Sequence, residues 1–140
     1  MISAFGKNRT LLYLADLMKK PVRVFVEVMA EQSPLLKPAL QEADEYWAPA
    51  SPPATTVLAD CAMRLLDEST DPEAAETQRA LLLIEAAMGS MDVDVVTAAA
   101  TGFIEGLVAS ASQRGVLVRF LAALGPKSRS HADAWLAFTG

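Results

Sequence analysis

Apolar residues recur at three- and four-residue spacings along most of the chain, which predicts helices rather than strands. The most regular stretch is residues 77–108, where two apolar runs meet at Gly89-Ser90. The first run places Ala80, Leu83 and Ala87 on one stripe and Leu81, Ile84 and Met88 on the next. An apolar face that wide suits a helix packed on two sides. The second run carries Val93, Val96, Ala100, Phe103, Ile104, Leu107 and Val108, and its Ala98, Ala99, Ala100 and Gly102 are small enough to admit a neighbouring helix closely. Asp71 and Pro72 form a start signal, because Asp caps and Pro loses nothing at the first helical position. Gly89 is expected to stop the first run in the left-handed conformation. Ser90 or Asp92 then caps the second, and Asp92 and Asp94 complement its dipole. The pattern predicts an antiparallel helical hairpin at the centre of the fold.

The rest of the chain reads as shorter helices. Asn8 is placed to cap a helix over residues 11–18, closed by Lys19-Lys20. Pro21 breaks it. VRVFVEVM after Pro21 alternates like a strand, but Val22, Phe25, Val26 and Met29 also share a helical face. A helix is the expectation, because a lone strand has nothing to pair with. A third helix starts at Ser33-Pro34, with Leu35, Leu36, Leu40, Ala43 and Trp47 inward. Residues 48–54, APASPPA, are too rich in proline for a helix interior and read as an extended crossover inside one domain. Beyond it, Leu58, Cys61, Ala62, Leu65 and Leu66 face inward, and residues 67–71 form a polar turn. Residues 110–115 mark another turn. Leu117, Phe120, Leu121 and Leu124 line a short helix stopped by Gly125-Pro126, and a last helix over residues 128–138 docks through Ala134, Trp135 and Phe138. The fold class expected is all-α, with residues 1–140 as a single domain of about seven or eight helices packed as antiparallel hairpins.

Composition narrows the setting. Hydrophobic residues make up 52% of the chain and aromatics only 6%, which fits helices rich in Ala and Leu. No apolar run is interrupted rarely enough to predict a membrane span. The N-terminal MISAFGKNRT has no signal-peptide core, and one cysteine allows no internal disulfide, so the expected setting is cytoplasmic. Residues 1–40 carry six basic and three acidic side chains, residues 41–105 two and thirteen, and residues 106–140 four and one. An acidic middle between mildly basic ends argues against nucleic acid as a partner of that block. It is either a solvated surface or a face that steers a basic protein partner.

Chemistry-bearing residues are sparse. His131 is the only histidine, and it reads as a partly exposed side chain of the last helix. Cys61 reads as a small core residue. Cys and His are too few for a zinc site, and Gly102, Gly106 and Gly115 lack the strand and Lys-Ser/Thr of a phosphate loop. Glu85 and Glu105 sit in very apolar helical stretches, one in each arm of the hairpin. They are expected at the helix rims, paired with Arg79, Arg114 or Arg119. Turned inward, they would make a carboxylate pair or metal site. Met18, Met29, Met63, Met88 and Met91 are expected to fill gaps in the core. No catalytic residue, metal ligand or cofactor is expected, and the chain is read as a non-enzyme.

DVDVVTAAATGFIEGL resembles the second half of a HEAT-type helical repeat. Over Glu85, Asp92, Val95, Gly102, Phe103, Ile104, Glu105, Leu107, Leu124, Gly125 and Pro126, the chain also resembles small all-helical bacterial proteins that accompany secreted toxins as immunity proteins. That resemblance implies a protein that neutralises a cognate toxin by occluding it. The expected contact residues are Glu42, Asp44, Glu45, Tyr46 and Trp47, where aromatics lie beside acids, with Asp92 and Asp94 as a second patch. Two other readings stand beside it: a homo-oligomerising helical scaffold or regulator, and an enzyme or metal-binding protein using Glu85 and Glu105.

Overall fold

The computed structural model describes residues 19–139, which contain helices, turns and extended links but no strand. Seven helices lie among the described residues. They are α1 Pro21–Glu31, α2 Lys37–Trp47, α3 Ala54–Glu68, α4 Ala75–Met88, α5 Val93–Gln113, α6 Leu117–Ala123 and α7 Pro126–Thr139. The helix expected over residues 11–18 lies outside the described residues. In α1, Val26 and Met29 are buried and Val22 and Phe25 pack against the core, so the helical reading of that stretch holds.

The core is organised around α3 and α5. Val57, Leu58, Cys61, Ala62, Leu65 and Leu66 of α3 are buried, and this helix makes the molecule's most extensive packing with α5. Gly102 of α5 faces Thr55, and Gly106 faces Ala59. Arg114 pairs with Asp67, 47 positions earlier. The same offset at all three contacts means that α3 and α5 run parallel. The helix α4 is the antiparallel return between them. The helix α4 packs on α5, but the centre of the fold is the parallel α3/α5 pair, where Gly102 and Gly106 let two backbones meet.

The middle of α5, Ala98–Ile104, is a π-helix. It explains a misplaced register. Phe103, Ile104, Leu107 and Val108 are buried as the spacing predicts, but Val93 is exposed and Val95 is buried instead. A π-turn holds about one residue more than an α-turn, so positions before it rotate away from where a 3.6-residue period places them. The helix also continues through residues 110–113, where a turn was expected, and buries Ser110 and Ala111. Gly115 is the stop. Its φ is 71°, and the N–H groups of Val116 and Gly115 donate to the carbonyls of Ala111 and Ser112, the paired bonds of a glycine-terminated helix. By length and composition, α5 is one helix that could cross a membrane, contrary to the expectation that none would. Here 61% of its most apolar window is buried inside the protein, as in a core helix.

Other ends also differ from expectation. The helix α4 begins at Ala75 rather than after Asp71, because the Asp71 carboxylate accepts the Glu73 N–H and closes a turn first. Gly89 ends α4 at φ −94°, not left-handed, and a Cβ there would lie 2.8 Å from Lys127 Nζ. Asp92 caps α5 as expected, accepting the Val95 N–H at 3.1 Å. The stripe that docks α7 is Ser128, Ala132, Trp135 and Leu136, while Ala134 and Phe138 point to solvent. Met29 is in the core, but Met63 and Met91 are exposed.

Candidate functional site

The helix α2 is anchored by Leu36, Ala39 and Leu40, all buried, and its outer positions are Glu42, Glu45 and Tyr46. The expected inward position of Trp47 is not observed. Tyr46 is 83% exposed and Trp47 39%. Their rings meet edge-to-face with centroids 5.8 Å apart, a favoured aromatic arrangement. The helix runs out at Ala48, so no further turn covers the pair.

The acids expected in this patch divide. Asp44 turns toward α1, where Arg23 grips it through two bonds of 2.8 and 2.9 Å. Those bonds hold the Asp44 carboxyl below its usual pKa. Glu42 turns toward α3 and accepts Arg64 at 2.5 Å, while Asp60 shares the same guanidinium at 3.0 Å. Glu45 has no partner among the described residues. The candidate patch therefore narrows to Glu42, Glu45, Tyr46 and Trp47, with Asp44 withdrawn into an ion pair. The Arg64 bridge adds Asp60 of α3 to the same face. Asp60 was missed from sequence, although Thr56, Asp60, Met63 and Asp67 recur at the spacing of one outer stripe.

The acidic block is also less acidic in space than along the chain. Arg23, Arg114 and Arg119 come from its flanks and pair with Asp44, Asp67 and Asp71. In the second expected patch, Asp92 is used as a cap. Asp94 is exposed beside Val93 and the fully exposed Met91. These residues are on the α4–α5 turn, apart from the α2 sequence, and among the described residues no hydrogen bond, ion pair or ring contact joins them to Tyr46 or Trp47.

Glu85 and Glu105 do not form a carboxylate pair, and neither binds the arginines expected of them. Both fasten α7. Glu85 accepts the backbone N–H groups of Lys127 and Ser128 at 3.0 and 2.9 Å, capping α7 from another helix. Gly125 makes this possible: a Cβ there would fall 2.5 Å from the Glu85 carboxyl carbon. Glu105 bonds His131 Nε2 at 2.9 Å. Ser128 lies one turn before His131, and its side chain is buried. This set has no nucleophile–base bond, which acid–base activation of a serine requires. Cys61 is equally withdrawn, since burial pushes its thiol up to about 12. Among the described residues, no group of three or more His, Cys, Asp or Glu side chains could hold a metal.

Burial opposes the charge of Glu85, but the amides of Ser128 and Lys127 outweigh it and lower its pKa. A carboxylate with a depressed folded pKa stabilises above its unfolded value and loses that contribution as pH falls through the folded one. Glu85→Gln should therefore cost about 1 kcal/mol at pH 7. The difference from wild type should shrink toward zero as pH falls below about 4. Urea unfolding of both proteins from pH 7 to pH 3 checks this. A difference that stays constant across the range would show that the charge of Glu85 contributes nothing.

Compared with family models, curated proteins and solved structures, the chain matches none of them.

Proposed function

We propose that the chain is a cytosolic binding protein that neutralises a basic partner, a cognate bacterial toxin domain, by covering its active cleft. The observation that carries this reading is the exposed Tyr46–Trp47 pair at the open end of α2, beside Glu42 and the unpaired Glu45. Tyr and Trp dominate binding hot spots because they bury large rigid surfaces at little entropic cost. Acids at the rim add on-rate and discrimination toward a basic partner more than raw affinity. Asp60 of α3, joined to Glu42 through Arg64, extends the carboxylate edge of this face.

The test uses the partner recovered from native cells. Tyr46→Ala should weaken binding at least ~30-fold, the level of a hot-spot residue. Glu45→Lys should slow association and flatten its dependence on salt. Both residues are exposed, so neither change should disturb the fold. Unchanged affinity in Tyr46→Ala, or an unchanged salt slope in Glu45→Lys, would remove this face as the interface.

A further inference from the structure

The rings of Tyr46 and Trp47 stand at 74° to each other and form two walls of an open corner where α2 ends. Tyr46 is the more exposed of the two, at 83%. Among the described residues each ring has only the other as a ring partner, and no lysine or arginine stacks on either. Two kinds of group pack well on an exposed aromatic face: apolar groups and cations, the latter drawn by the ring's negative potential. The surroundings of the corner decide between them.

Glu42 lies one helical turn before Tyr46, on the same face. It shares the single guanidinium of Arg64 with Asp60, which leaves that triad with one negative charge. Glu45, next to Tyr46, adds a second and is not neutralised among the described residues. The backbone works in the same direction. The last turn of α2 carries no basic residue. The Glu45 carbonyl, which a continuing helix would bond four residues on, meets Pro49, which has no N–H. The carbonyl end of a helix favours cations. Ring faces, carboxylates and helix dipole therefore all favour positive charge here.

We infer that this corner receives an arginine side chain of the partner protein, its guanidinium stacked on the Tyr46 ring. A guanidinium is flat and weakly hydrated, so it lies on an aromatic face without giving up a tightly held water shell. Its N–H groups point outward in the plane and stay free to donate to the Glu45 carboxylate. The methylene stem packs on the second wall, Trp47, as long basic side chains do on apolar surface. A lysine ammonium is compact and strongly hydrated and gains less from the same corner. That the arginine belongs to a partner rests on the binding function proposed above; the corner's preference for a guanidinium does not.

The experiment is an NMR titration of the intact chain with N-acetyl-arginine amide, in parallel with the citrulline and lysine analogues. The signals followed are the Tyr46 ring protons and the Trp47 indole N–H, with Trp135 of α7 as the internal control. The expected result is saturable shifts at Tyr46 and Trp47 but not at Trp135, with a Kd on the order of 10 mM for so small a probe. Citrulline, which has the same shape without charge, should bind about fivefold more weakly, and lysine about threefold more weakly. Tyr46→Phe keeps the aromatic face and should bind arginine within about twofold of wild type. Tyr46→Leu keeps apolar bulk without the face and should weaken it about threefold. Position 46 is exposed, so both variants fold. Absence of saturable shifts, an equal response at Trp135, equal binding of citrulline or lysine, or unchanged binding in Tyr46→Leu would overturn the inference. A partner held through apolar contact alone would leave the binding function standing while this inference fails. A chain that captures no partner but still prefers arginine at Tyr46 would do the reverse.

Discussion

Gly102→Val is expected to destabilise the protein by about 3 kcal/mol or more, although replacing a glycine inside a helix normally stabilises it. Intrinsic propensity favours Ala over Gly by roughly 1 kcal/mol in a helix interior. Here the added Cβ would lie 2.8 Å from the Thr55 carbonyl oxygen and 2.9 Å from Thr55 Cα. Both are backbone atoms that cannot rotate aside, so the helices must separate and the rest of the α3/α5 seam loosens with them. Overpacking a core typically costs 1–3 kcal/mol, and the branched side chain extends the clash toward Leu58. Gly106→Ala is the internal comparison. Its Cβ would meet Ala59 at 3.2 and 3.3 Å, a contact that small shifts relieve. That variant should lie within about 1 kcal/mol of wild type. Urea midpoints with unchanged m-values would report both effects as stability changes. Near-equal midpoints for Gly102→Val and Gly106→Ala would contradict the parallel packing of α3 on α5.

Phe103→Ala should cost about 3–5 kcal/mol, the range for deleting a buried aromatic ring from a packed core. Phe103 is fully buried, ranks among the largest such side chains, and sits within the π-segment next to Gly102. The neighbouring Ala98, Ala99 and Ala100 are too small to fill the void that its loss would leave. For a chain of this length the midpoint of thermal unfolding should fall by roughly 10–15 °C. Phe138→Ala provides the contrast, because that ring is 89% exposed. Its change should stay within about 0.5 kcal/mol. A Phe103→Ala protein that melts with wild type would place the core elsewhere.

The helical character of the described chain was legible because apolar spacing reports which face of a helix is buried, and the faces of α1, α3 and α4 follow from it. What spacing cannot report is a change of helical pitch. The valines at the start of α5 were therefore assigned to the wrong face, one residue out of step with the π-segment that follows. Nor does spacing name the neighbour a face will meet. Gly102 announced a close approach, but only the fold shows that α3 takes it. Charge suffered most from a linear reading. Arg23, Arg114 and Arg119 lie outside the acidic stretch in sequence and fold back onto it, and Asp44 leaves the candidate patch for that reason. Glu85 and Glu105 looked like stranded carboxylates in apolar helices. Each has its partner on α7, and nothing local in the sequence links residue 85 to the amides of residues 127 and 128. Tyr46 and Trp47, the aromatic pair of the candidate patch, are exposed where α2 ends, while the inward position expected of Trp47 is not observed.

The most direct measurement of the proposed function is capture from native lysate at low salt, using two baits side by side. One is the wild-type chain. The other carries Tyr46→Ala and Glu45→Lys, two exposed positions whose change leaves the core untouched. The expected result is one stoichiometric, basic, toxin-like partner on the wild-type bait and its loss from the variant. Recovery of the wild-type chain alone or only with copies of itself would contradict the binding function. The same partner held equally by both baits would contradict the face assigned to it.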